Sequence, residues 1–433
     1  MNKGFILFYL ISFTLFFSGC SIKKDKDGVT FITLSDNGIL IDGKEASSNK
    51  NDVVYIGNDI IYYEEGKGET YGNGGKDDSH SLEEAARHTV VTIAKPGNYE
   101  VSGRISQGQI FIDLGEEAED DPGAVVNLIL NNAEITCTVA PSIVVYNAYE
   151  CGSDKKKDAT PDVDTSNAGF NLILAKDSNN MINGSYVARI YEDGTTKEDI
   201  KNDKAKKKYK FDGAIESFVS FNIRSGENGK LLVNAEKEGI SGHLHLTIDS
   251  GDIEINAAND SINTNENGVS VLTINGGSVI CNSGFGKDGD GLDSNGYLVI
   301  NGGYVFACAN PDSMDSGLDS DEGIYINGGI VFGNGNMYDE VKSESKQEFL
   351  VIDFEEKISK NNLIMITDED NDPITAFSSF SDYSIVVFSS PSLEKKDYNV
   401  YKVSSVTGNL TGYYIYFEIQ DYEGAEKINF IRR

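Results

Sequence analysis

The 433-residue chain has no tryptophan, only 7 prolines and 4 histidines, and 37 basic residues against 69 acidic ones. A net charge of −32 repels nucleic acid, so none is expected as a partner. The lysine runs at residues 155–157 and 206–208 are the nearest thing to basic patches, and both fall in turn-rich insertions that read as solvated loop. Long amphipathic stretches are nearly missing, which argues against a helical fold. No Gly-rich phosphate loop, nucleophile elbow or HExxH pattern is present, which closes several enzyme classes. Cysteine is sparse: Cys281 lies six residues past its turn and Cys308 seven, on opposite faces of a strand, so no disulfide joins them. A Cys137–Cys151 bridge is left open by the sequence.

What is abundant is glycine, at 45 residues, together with Asn and Asp, and much of it is ordered as a repeat. Four tripeptides, Asp249-Ser250-Gly251, Asn275-Gly276-Gly277, Asn301-Gly302-Gly303 and Asn327-Gly328-Gly329, follow one another at a step of 26 residues. Each is preceded by apolar residues at minus one (Ile248, Ile274, Ile300, Ile326) and minus three (Leu246, Leu272, Leu298, Ile324). Alternation resumes in phase after each turn, with Ile253, Val279, Val305 and Val331, then Ile255, Cys281, Ala307 and Gly333. A further inward anchor recurs at Ile215, Ile240, Ile262, Leu292 and Leu318, with Ile262 displaced by an insertion. Period two inside a unit, with like residues at like offsets, predicts an all-β fold built as a right-handed parallel β-helix.

The residue after each anchor is polar and turns acidic along the stack: Glu216, Ser241, Asn263, Asp293, Asp319. Two positions on come His243, Asn265, Asn295 and Asp321, while Asp288, Asp290, Asp312 and Asp315 crowd the same corner. Adjacent strands lie roughly 4.8 Å apart, so facing aspartates repel by roughly 3.5 kcal/mol at an effective dielectric near 20. A bound cation reverses that sign, and hard oxygen ligands separated by glycine suit calcium. The expected ligands are Asp290, Asp293, Asn295, Asp315, Asp319, Asp321, Asn263 and Asn265. The competing reading is that these are solvated turn residues, since turns use Asp, Asn and Gly.

Glu238-Gly-Ile-Ser-Gly-His-Leu-His-Leu-Thr-Ile, Asn263-Thr-Asn-Glu-Asn-Gly-Val-Ser-Val-Leu-Thr-Ile-Asn-Gly-Gly, Gly289-Asp-Gly-Leu-Asp-Ser-Asn-Gly-Tyr-Leu-Val-Ile-Asn-Gly-Gly and Asp319-Ser-Asp-Glu-Gly-Ile-Tyr-Ile-Asn-Gly-Gly carry a resemblance. They resemble the bacterial carbohydrate-binding domain-containing family built on a calcium-binding, pectate-lyase-like parallel β-helix. The resemblance implies binding of cell-wall polysaccharide, acidic ones included. A polysaccharide lyase is the alternative: it needs a Lys or Arg to take the proton alpha to a uronate carboxylate, for which Lys237, Lys287 and Arg224 are approximate candidates. A structural or adhesive surface protein is the third reading. For sugar contacts the outward Tyr297, Tyr304 and Tyr325 are expected, with Phe306 and Phe332 either joining them or covered by the C-terminal region.

Residues 1–19 resemble a bacterial lipoprotein signal: Lys3, an apolar run, then Ser18-Gly19-Cys20, with Cys20 as the lipidation site. Membrane contact is therefore expected through that anchor, in a monomeric protein of the bacterial cell envelope facing the periplasm or the exterior. Residues 20–88 read as a tether and N-terminal β/loop segment with one short helix at residues 81–87, capped by Ser81 and Glu84. Residues 89–345 read as the parallel β-helix, and residues 346–433 as a small C-terminal β module that caps its open end. Asp368-Glu-Asp-Asn-Asp372 imitates an EF-hand start, but Pro373 stands where Gly is needed, so a hairpin turn is expected. His243 and His245 are read as an outward polar pair rather than a zinc site.

Overall fold

The computed structural model describes residues 28–412 and 414–433, so the expected leader and Cys20 lie outside the described residues. Each repeat unit folds into three short strands, and every strand pairs in parallel with its counterpart one unit away. One ladder runs through Glu238–Gly242, Ile262–Thr264 and Leu292–Ser294. A second runs through His245–Ile248, Val271–Ile274, Tyr297–Ile300 and Gly323–Ile326. The third runs through Asp252–Ala257, Ser278–Asn282, Tyr304–Cys308 and Ile330–Gly335. Earlier strands from Thr89–Ile93 onward extend these ladders toward the N-terminus.

Register follows the apolar pattern residue for residue. Leu246, Leu272, Leu298 and Ile324 face one another, as do Ile248, Ile274, Ile300 and Ile326, and all eight are fully buried. Ile240 pairs with Ile262 and Ile262 with Leu292 despite the uneven spacing, because the extra residues leave as loop. Each buried Ile or Leu contributes about 1.5–3 kcal/mol, so these columns dominate the stability.

The turn tripeptides have a physical reason at each position. Asn275, Asn301 and Asn327 donate their amides to Asp249, Asn275 and Asn301 at 2.8, 2.9 and 2.8 Å, a side-chain ladder along the stack. The third position needs φ near +81° to +91° at Gly277, Gly303 and Gly329. A β-carbon on Gly303 would also sit 2.7 Å from the Gly277 carbonyl oxygen. The middle position is more permissive, and Ser250 occupies it naturally.

The C-terminal region covers the end of the third ladder: Tyr383–Ser389 pairs antiparallel with Ile330–Gly335, and Phe349–Ile358 pairs antiparallel with Tyr383–Ser389. A six-stranded antiparallel sheet follows. It buries Phe306 and Phe332, whose rings stack at 4.5 Å, so these two are covered.

Smaller expectations met mixed outcomes. The helix Leu82–Ala85 has Ser81 accepting from the Glu84 amide at 3.2 Å. Residues 368–372 form a turn in which Asp368 accepts from the amides of Asp370 and Asp372. Lys206–Lys208 is not simple loop, since Lys207–Phe211 is a strand paired with Val187–Tyr191. His243 and His245 do not form an outward pair. His245 is buried and accepts from the Val271 amide at 3.1 Å, while His243 faces Glu216 at 3.2 Å. Cys137, Cys151, Cys281 and Cys308 are all free thiols, with Cys281 in the inner core and Cys308 under the C-terminal sheet.

Substituting Gly303→Ala is expected to destabilise the protein by about 1–3 kcal/mol through left-handed strain and the carbonyl clash, and Gly276→Ser by clearly less. Denaturant midpoints of the two variants measure the difference.

Candidate functional site

The acidic positions converge where the first ladder meets the loops that precede it. Glu216, Ser241, Asn263 and Asp293 are in direct register, and the bridge between Leu292 and Leu318 brings Asp319 next in line. A second acidic row, Glu238, Asp260 and Asp290, stands two residues before the anchors. Backbone amides fix several carboxylates in place: Asp290 accepts from Ser316 at 2.6 Å, Asp260 from Asp290 at 2.8 Å and Asp315 from Gly289 at 2.6 Å.

Asp260 and Glu238 are buried and Asp290, Asp293 and Asp319 partly so, which raises their proton affinity. Burial, with neighbouring carboxylates adding to it, pushes Asp260 up to about 6, Asp293 to about 7, Asp290 to about 8 and Asp319 to about 10. Burial also raises Glu238 well above the carboxylate range. Asp339, Asp290 and Asp293 stand close enough to Asp319 to add to the effect of burial on its proton affinity. Among the described residues, the Asn263 Oδ1 and Glu238 Oε2 atoms are buried without a hydrogen-bond partner. Two acceptors left bare in an acidic corner fit an oxygen-seeking cation. Among the described residues, however, no three His, Cys, Asp or Glu side chains converge as a ready-made metal site.

The profile of the family described as "Carbohydrate-binding domain-containing protein" matches residues 87–349, more than half of the chain. The chain belongs to this family. A solved polysaccharide lyase-like protein from C. thermocellum, a gadolinium derivative, is similar at 19% identity with a TM-score of 0.42, covering 73% of this chain and 94% of that one. No curated protein matches.

Within this carbohydrate-binding protein the expected ligands separate into two sets. Asp290, Asp293 and Asp319, partly buried, and the buried Asn263 belong to one group, with the Asn263 amide donating to Asp260 at 3.3 Å. Asn265 and Asn295 donate their amide N–H groups to neighbouring units, Asn265 to Ser241 at 2.9 Å and Asn295 to the Asn265 carbonyl at 3.0 Å, which leaves their Oδ1 oxygens as the atoms a cation would use. Asp315 accepts from the Gly289 amide of the neighbouring unit close to Asp260 and Asp290, and Asp321 is exposed at the edge. Sequence reasoning missed Glu238, Asp260 and Asp339. The first two share the offset of Asp290 and so were open to the same period-two logic. Asp339 lies beyond the repeat, where no pattern marks it, and accepts from the Ser320 amide at 2.9 Å.

Beside the acidic corner is a groove of about 710 Å³ lined by Lys210, Lys237, Lys287 and Arg189. Lys210 and Lys237 both bind Asp212, the former at 2.6 Å. Burial works against ionisation of Asp212, yet these ammonium groups hold it below the usual carboxylate range. Lys237 and Lys287 therefore do reach the neighbourhood of the corner. Arg224 does not: it pairs with Asp249 on another face at 2.9 Å.

The tyrosine strip needs a correction. Tyr297 and Tyr325 are half-buried neighbours with ring centroids 6.4 Å apart. Tyr304 lies on the third ladder, is 9% exposed, and packs with Phe306 and Gly412 under the C-terminal region. It cannot share a surface with the other two.

The raised affinities give a pH dependence with a definite sign. A carboxyl whose folded pKa exceeds its unfolded value of about 3.9 stabilises the fold below that value and loses the contribution as pH rises through the folded pKa. In chelator, the melting temperature is therefore expected to fall from about pH 4 to about pH 8, as pH passes from the unfolded carboxylate value to the folded values of Asp260, Asp293 and Asp290. A flat or rising profile in calorimetry would contradict a corner of buried, protonated carboxyls.

Proposed function

We propose that this protein is a calcium-dependent, non-catalytic polysaccharide-binding protein whose stacked ladders are coils of a right-handed parallel β-helix. It is anchored to the bacterial envelope through lipid on Cys20. The observation that carries the calcium reading is the buried acidic corner with its two bare oxygens, Asn263 Oδ1 and Glu238 Oε2. Asp260, Asp290, Asp293, Asp319 and Glu238, with the Asn263 carbonyl oxygen, are the residues that would hold the ion. Calcium, when bound, supplies the charge that lets these carboxyls ionise and open coordination positions for sugar hydroxyls or uronate carboxylates. The chain's own part is to hold the carboxylates at strand spacing and to keep water away from them.

The partnership of Lys210 and Lys237 with Asp212 supports binding without cleavage, because a lysine held by a carboxylate is a poor proton acceptor. The nearness of Lys237 to Asp260, whose proton affinity it lowers, favours the lyase as second reading. Incubation with polygalacturonate and calcium separates the two: growth of unsaturated, ultraviolet-absorbing products establishes the lyase. A glycan array that stays blank with and without calcium leaves the structural or adhesive role.

Calcium is expected to raise the melting temperature, with stabilisation of about 2.7 kcal/mol when its concentration is a hundredfold above Kd. Asp293→Asn or Asp290→Asn is expected to weaken calcium binding roughly tenfold or more in isothermal titration. Calcium that neither binds nor shifts the melting curve of the unaltered protein rejects the proposal.

A further inference from the structure

A second groove, of about 640 Å³, lies on the face of the second ladder, away from the acidic corner. Its floor is a column of outward residues in direct register: Thr247, Thr273, Val299 and Tyr325. One rim is the amide ladder of Asn275, Asn301 and Asn327. The other rim is the insertion at residues 161–166, which closes one end: Thr165 meets Thr247 at 2.7 Å and donates to Asn222 at 2.7 Å. At the other end, Tyr325 leans on Tyr297 and presents a ring beside Glu344 and Lys346.

We infer that this groove is a calcium-independent subsite for an uncharged polysaccharide lying along the stack. The inference rests on the carbohydrate-binding reading but not on calcium. The floor repeats at the strand spacing of roughly 4.8 Å, close to the rise of one pyranose ring in an extended glycan. Hydroxyls and amides supply sugar partners, and each ladder amide commits one of its two N–H donors to its neighbour, leaving the other for a ligand. Tyr325 supplies the flat apolar face on which a ring stacks.

Charge selects the class. Asp162, Asp164, Asp249 and Glu344 face Arg224 and Lys346, and Arg224 is already bound to Asp249. The surplus is negative, so a polyuronate is repelled here, whereas an uncharged chain meets no such penalty. The acidic corner has the opposite logic, because there a cation would intervene.

The test titrates the full-length protein, in EDTA, with cello-, xylo- and manno-oligosaccharides by calorimetry. At least one series is expected to bind. Tyr325→Ala is expected to weaken it by about tenfold, Tyr325→Phe to retain it, Thr273→Arg to abolish it by filling the floor, and Asp293→Asn to leave it unchanged. Thermal melts of every variant confirm folding. Absence of binding in EDTA, unaltered affinity in folded Tyr325→Ala and Thr273→Arg, or a loss in Asp293→Asn equal to that in Tyr325→Ala each overturns the subsite. Failure of calcium-dependent polygalacturonate binding would leave this result standing, and the reverse also holds.

Discussion

Like stacked on like at strand spacing is the constraint from which the rest of the molecule follows. A residue in one unit meets the same residue type in the next, at a distance the backbone hydrogen bonds set. For isoleucine and leucine this is favourable, and the columns through Ile274 and Leu272 are fully buried as a result. For asparagine it is favourable in another way, since an amide is donor and acceptor at once and the row from Asp249 to Asn327 bonds to itself. For aspartate it is unfavourable. The protein places carboxylates there nonetheless, and burial then forces them either to keep a proton or to take a cation.

That asymmetry explains which parts of the fold were legible in the sequence. The apolar columns are periodic and have one physical reading, so the register Ile240, Ile262, Leu292 could be assigned even across an irregular spacing. The acid row was legible for the same reason, and Asp293 and Asp319 do lie together. Polar neighbours were harder, because the sequence shows an oxygen without showing what it bonds. Asn295 and Asn265 look like ligands by composition, and the structure adds that their amide N–H groups join neighbouring units. Asp339 enters the corner from a segment outside the repeat, whereas Glu238 lies on the strand of its anchor Ile240 at the offset of Asp290, where the same alternation could have marked it.

The aromatic residues show a second limit. Tyr297, Tyr304 and Tyr325 are equally outward by alternation, but alternation says only that a side chain leaves the core, not what lies beyond it. The C-terminal region occupies the space above Tyr304, Phe306 and Phe332, whereas the insertion near residue 165 stops short of Tyr325. Coverage by distant segments, not local pattern, decides which outward column is surface.

The same coverage bears on whether the protein cleaves what it binds. A lyase needs a base that is both near the metal and free to change protonation. Lys237 lies near Asp260 in the acidic corner but is not free, since Asp212 is buried and draws both Lys237 and Lys210 onto itself. Releasing either lysine would leave a buried carboxylate with half its compensation, which is strongly unfavourable. The ion pairs that make Asp212 tolerable in the interior thereby keep Lys210 and Lys237 protonated, and leave Lys287 as the lysine of that groove which those pairs do not engage.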